Sequence, residues 1–186
     1  AILAVLPAGK TFRATGFAAT RQMVARGALR GFRILHFATH SILDDRQPLL
    51  SSLALSRLDS TGRQVEGDLT ASEIYDLNLP AELVVLSACD TALGREVPGE
   101  GLVSGLPRAF LYAGAFRVVV SLWPVEDLPT RDLMKRFYHG LFAEGLAPAQ
   151  ALQEAQRALR QAGRRPHEWA GFVLLGDWRP LPPFSG

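Results

Sequence analysis

The apolar positions of this chain fall into short runs separated by stretches with helical spacing. Residues 32–38 (FRILHFA), 83–88 (LVVLSA) and 116–123 (FRVVVSLW) are such runs, rich in β-branched and aromatic side chains. That composition suits strands buried on both faces. A last short strand is predicted over 172–175. Residues 20–29 predict a helix ahead of the first strand, and 49–58 predict a strand or hairpin arm ending in the turn Asp59-Ser60-Thr61-Gly62. Thr70-Ala71-Ser72-Glu73 has capping-box spacing, which starts a helix running to about Leu77, before Asn78 and Pro80. Residues 93–99 predict a loop and 101–113 a helix of small and apolar residues. Residues 128–143 form an amphipathic pattern, and 148–162 a second with Pro148 at the first helical position. Strands alternating with helices predict βαβ crossovers, a mainly parallel sheet and a single α/β domain.

Composition narrows the picture. With 186 residues and 48% apolar content the chain can bury a sizeable core, which excludes a disordered tail or a disulfide-stapled scaffold. Cys89 is the one cysteine, so neither an internal disulfide nor a cysteine zinc cage can form. That fits a reducing compartment, and a cytoplasmic location is expected. The net charge is +2 from 20 basic and 18 acidic residues, without a basic run to grip a phosphate backbone, so nucleic acid is not an expected partner. No run approaches the ~18 apolar residues of a membrane span, and the opening AILAVLPAG lacks the basic flank of a signal peptide. The first residue is Ala1, not Met, which suggests a piece of a longer or processed polypeptide.

In an open parallel sheet, catalytic groups gather at the carboxyl ends of strands. Two such ends carry chemistry: His36-Phe37-Ala38-Thr39-His40 and Ser87-Ala88-Cys89-Asp90-Thr91. If these strands are neighbours, His40 and Cys89 emerge on one edge. A neutral imidazole can then take the thiol proton and leave a thiolate nucleophile. Cys89 follows His40 by 49 positions, close to the histidine–cysteine spacing of caspases. A cysteine after an apolar strand is more commonly a buried small hydrophobe, so the spacing gains its weight from the two strand ends together. His36, inside its strand, is expected to pack or to hydrogen-bond backbone; His40 lies past the strand, where a general base is useful.

The segments HFATH (36–40), LVVLSACDTALG (83–94), GEGL (99–102), AFLYAGAFRVVVSLWPVED (109–127), LMKRFYHGL (133–141), PAQALQEAQRALR (148–160) and WAGFVLLGDW (169–178) occur in that order. Together they resemble the CHAT domain, a caspase-like peptidase domain often attached to tetratricopeptide repeats. The resemblance implies an α/β fold: a caspase-like three-layer sandwich with a mainly parallel central sheet flanked by helices. It covers residues 1–186 as one CHAT peptidase domain lacking an upstream strand region and the repeats. It also implies a dyad of His40 and Cys89, cleavage of a protein substrate, and an activating partner or repeat region in cis. An oxyanion hole would come from the backbone N–H groups of Ser41 and Cys89. The family usually has glycine where Ser41 stands; serine keeps the N–H but not glycine's backbone range. Ser87, two positions before the nucleophile, would line the first specificity pocket, and Asp90 matches the acidic residue that often follows the cysteine in the family. Asp90, Glu126 and Asp127 are candidates for attracting a basic substrate side chain, or else are loop acids and a helix cap. Trp123 could wall the substrate groove or cover the sheet edge.

Other signals are weaker. Gly99-Glu100-Gly101 with Gly105 lacks the GK[ST] of a phosphate loop. The four histidines show no metal spacing, and no cofactor or metal is expected. The alternative to a peptidase is a catalytically silent interaction module of the same fold.

Overall fold

Side-chain alternation along the central strands builds two cores from one sheet. The computed structural model describes residues 2–6, 11–87, 93–97, 101–103 and 105–183. Its main sheet contains β1 (Ile34–Phe37), β5 (Leu83–Leu86), β8 (Arg117–Ser121) and β9 (Phe172–Gly176), in the spatial order β1-β5-β8-β9. β1, β5 and β8 are parallel, and β9 runs antiparallel to β8. Successive residues point to opposite faces. Thus Leu35, Phe37, Val84, Leu86, Val118 and Val120 join one core, while Leu83, Val85 and Val119 join the other.

Helices α1 (Arg21–Ala25), α2 (Ala71–Tyr75) and α3 (Leu106–Tyr112) cover the first face through Val24, Ile74 and Phe110. The second face is covered by α4 (Asp127–Phe142) and α5 (Pro148–Gln161), through Leu133, Phe137, Tyr138, Leu152 and Leu159. Those positions are the apolar stripe that 3.6-residue spacing predicts. Gly140 lets α4 and α5 close up, since a Cβ there would sit 3.1 Å from the Ala151 Cβ. The three layers and the mainly parallel sheet agree with the sequence expectation.

Local chemistry sets several boundaries. Thr70 caps α2: its hydroxyl accepts from the Glu73 N–H at 3.3 Å, and the Glu73 carboxylate accepts from the Thr70 N–H at 2.9 Å. Arg21 also pairs with Glu73, tying α1 to α2. The turn at Asp59 forms as expected, with the Asp59 carboxylate accepting from the Thr61 N–H at 2.8 Å and the Arg63 N–H at 3.0 Å.

Three readings are corrected. The expected loop over 93–99 holds strand β6 (Leu93–Val97), paired antiparallel with β7 (Gly101–Val103). The expected helix over 101–113 therefore begins only at Leu106, where Pro107 lies in the first turn. Val97, Leu102 and Val103 carry the strand propensity that the surrounding glycines obscured. The segment after β1 also forms a small antiparallel sheet of β2 (His40–Ile42), β3 (Ser52–Ala54) and β4 (Asp68–Thr70). The expected arm over 49–58 shrinks to β3, preceded by a 3₁₀ turn at Pro48–Leu50. A short helix, α6 (Pro166–Trp169), precedes β9.

Candidate active site

The carboxyl ends of β1, β5 and β8 lie side by side. Phe37 is in register with Leu86, and Leu86 with Val120. The Ser87 N–H donates to the Phe37 carbonyl at 3.0 Å, extending the ladder one rung beyond the strands. The two arms singled out in the sequence, HFATH and SACD, therefore leave the sheet from adjacent points. Two residues lie between Phe37 and His40, and one lies between Ser87 and Cys89. Cys89 and Asp90 themselves lie outside the described residues.

His40 is exposed and opens β2, in register with Ala54. The Thr39 hydroxyl donates to the Ala54 carbonyl and anchors the turn between β1 and β2. Ser41 is in register with Leu53 within the same ladder. A strand position of that kind suits serine, and glycine's left-handed backbone is not called on there.

His36 is placed differently from expectation. It bonds side chains, not backbone: Nδ1 is 2.8 Å from the Tyr138 hydroxyl and Nε2 is 2.8 Å from Ser87 Oγ. The strand period explains the encounter, because His36, Val85 and Ser87 point to the face that α4 covers. The Ser87 hydroxyl reaches the Phe37 carbonyl at 3.5 Å. One proton arrangement satisfies the whole set. Tyr138 O–H donates to Nδ1, Nε2–H donates to Ser87 Oγ, and Ser87 O–H is directed at Phe37. In it the His36 ring is neutral. Burial pushes the His36 imidazole down to about 4 from its ordinary 6.5, and burial also raises the Tyr138 hydroxyl well above its usual value. Neither residue was a site candidate in the sequence. The signal was present in the period-2 register of residues 36, 85 and 87, but pairing it with Tyr138 needed the packing of α4.

The remaining candidates sit beyond β8. Trp123 is partly buried, and its Nε1–H donates to the His167 carbonyl at 3.0 Å. A Cβ on Gly171 would meet the Trp123 ring at 3.1 Å, so the indole packs closely against the segment joining α6 to β9. Glu126 is exposed, with its carboxylate 3.7 Å from His167 Nε2. Glu126, and not Asp127, occupies the cap position of α4; Asp127 is the first helical residue and is exposed. There its charge faces the positive end of the helix. The described partners of Trp123 and Glu126 are thus on α6. Ser87 is the candidate tied directly to the strand end that leads to Cys89.

Among the described residues, no three of His, Cys, Asp and Glu converge as metal ligands, and no helix is long and apolar enough to cross a membrane.

A parallel sheet sandwiched between helices, with the histidine and cysteine arms leaving adjacent strands, is a caspase-like fold. Residues 1–177 match the CHAT domain, and the chain belongs to that family. It is 44% identical over 111 residues to Tetratricopeptide repeat protein 28 of Mus musculus, and 41% identical over 111 residues to the Homo sapiens protein of that name. Each match takes in 59% of this chain and 4% of the relative, so the chain spans a small part of those proteins' length.

Proposed function

We propose that this domain is a cysteine endopeptidase acting on protein substrates through His40 and Cys89. The reading is supported by one observation above the rest: the strands bearing HFATH and SACD are adjacent and parallel, bonded as far as Ser87 and Phe37. His40, exposed beyond that rung, takes the Cys89 thiol proton. The thiolate attacks the peptide carbonyl carbon, and the backbone N–H groups of Ser41 and Cys89 hold the developing oxyanion. The imidazolium returns its proton to the leaving amine as the C–N bond breaks. A water, deprotonated by His40, then hydrolyses the thioester and restores the thiol. Ser87 borders the site of attack; Asp90, Glu126 and Asp127 supply negative charge for a basic substrate side chain, and Trp123 walls the substrate groove. A tetratricopeptide region in cis, as the relatives' names suggest, would control access, and a cytoplasmic setting would keep the thiol reduced.

The test is cleavage of a proteome-derived peptide library by the full-length protein, read as new termini by mass spectrometry. Wild type is expected to generate termini that Cys89→Ala and His40→Ala do not. Termini generated equally by Cys89→Ala refute the assignment. The second reading is a silent interaction module, favoured by relatives named for their tetratricopeptide repeats.

A further inference from the structure

We infer that His36 is a positioning residue: pinned by Tyr138, it holds Ser87 Oγ and so fixes the spacing of the two arms that carry His40 and Cys89. This inference rests on the dyad reading above. Among the described residues Ser87 is the last rung shared by both arms, and it is held to β1 at three points: the backbone bond to the Phe37 carbonyl at 3.0 Å, the side-chain bond to His36 at 2.8 Å, and the longer contact of its hydroxyl with the Phe37 carbonyl at 3.5 Å. His36 is itself held by the Tyr138 hydroxyl at 2.8 Å. Tyr138 is 1% exposed, fixed in α4 between Phe137 at 5.3 Å and Phe142 stacked at 6.2 Å. One end of the chain of bonds is therefore a helix in the second core, and the other is the strand terminus that precedes Cys89.

A buried tyrosine hydroxyl needs a partner, and an apolar contact would satisfy packing alone. The polar chain is aimed instead at the one residue whose orientation bears on both arms. Small misplacements of reacting groups cost large factors in rate, so this side-chain anchor acts on reactivity through Ser87, without touching substrate. The proton transfer belongs to His40 in the dyad reading; His36 is assigned a positioning role through the bonds at its two ring nitrogens.

The experiment measures alkylation of Cys89 by iodoacetamide in the full-length protein at pH 6.5, followed by mass spectrometry of the Cys89 peptide. A thiol left at its ordinary value is about 1% thiolate at that pH, so the rate reports the dyad directly. Wild type should react faster than His40→Ala. His36→Ala should lose about fivefold or more, falling toward the His40→Ala rate. Ser87→Ala should be at least as slow, and the double variant should be no slower than Ser87→Ala, because both single variants remove the His36–Ser87 bond. His36→Gln places an amide N–H donor toward Ser87 but forfeits the Tyr138 bond. It should react at least about twofold faster than His36→Ala, though slower than wild type because the Tyr138 pin is gone, while melting at a lower temperature than wild type, a partial rescue that a purely structural role does not predict.

His36→Ala reacting like wild type, or His36→Gln as slow as His36→Ala, overturns the inference. Should His36→Ala fail to fold, Ser87→Ala decides by the same criterion. Wild type reacting no faster than His40→Ala instead removes the dyad, and the positioning role falls with it. That outcome is visible before any His36 variant is read.

Discussion

Lowering the pH from 7 to 5 charges His36 in the unfolded chain but leaves it neutral in the fold. Its folded value is about 4 against an ordinary 6.5, so between those limits the unfolded state binds more protons. Stability is then full above the ordinary value and is lost as the pH falls toward the folded one. For these two values the linkage relation gives a loss of about 2 kcal/mol at pH 5 relative to pH 7. The facing group, Tyr138, stays protonated throughout and adds nothing to the slope. The reference is His36→Gln, which cannot titrate. Urea unfolding of both proteins at pH 7 and pH 5, followed by tryptophan fluorescence, isolates the term. His40, His139, His167 and all the carboxylates are common to the pair. Asp177, bound by Arg179, titrates near 2, and Arg21 and Thr70 hold Glu73 below the carboxylate range by hydrogen bonds that outweigh its desolvation. Wild type should lose about 2 kcal/mol more than His36→Gln over that interval, or roughly 4–8 °C in melting temperature. Equal losses in the two proteins would refute the reasoning, because His36 would then take a proton in the fold as easily as in water.

Three further outcomes test the packing. Leu86→Ala, at a fully buried strand position, should destabilise by about 2–5 kcal/mol in denaturant titration, with the loss set by how far the first core collapses around it. Thr70→Ala removes the cap hydroxyl of α2 and should cost about 1 kcal/mol, seen as a lower urea midpoint at an unchanged slope. Gly176→Ala places a Cβ 2.5 Å from the Phe116 carbonyl at a φ of +91°, and should cost about 2 kcal/mol or more by thermal melting.

How far the sequence revealed the fold depends on whether a signal was local. Leu83–Leu86 and Arg117–Ser121 carry β-branched runs that no helix would favour, and both strands form where expected. The Thr70–Glu73 capping box is chemistry confined to four residues and also forms as read. The β6–β7 hairpin was obscured because glycines dilute the periodicity over 93–103. The direction of β9 depends on which strand it meets, a property of topology that five residues cannot encode. At the site, the adjacency of β1 and β5 was a condition in the sequence and a fact in the fold. His36 was misread because a histidine in a strand has no local mark of its partner. Tyr138 lies 102 positions away, and its role appears only once α4 packs on the sheet.

The central claim, that His40 activates Cys89, is tested most directly by covalent labelling of the full-length protein with a peptidyl acyloxymethyl ketone. The rate of adduct formation is followed by intact mass. The account predicts an adduct on Cys89 that is absent in Cys89→Ala and at least about 100-fold slower in His40→Ala, the low end of what a general base contributes. An adduct that forms equally fast without the His40 imidazole, or on another residue, would contradict it.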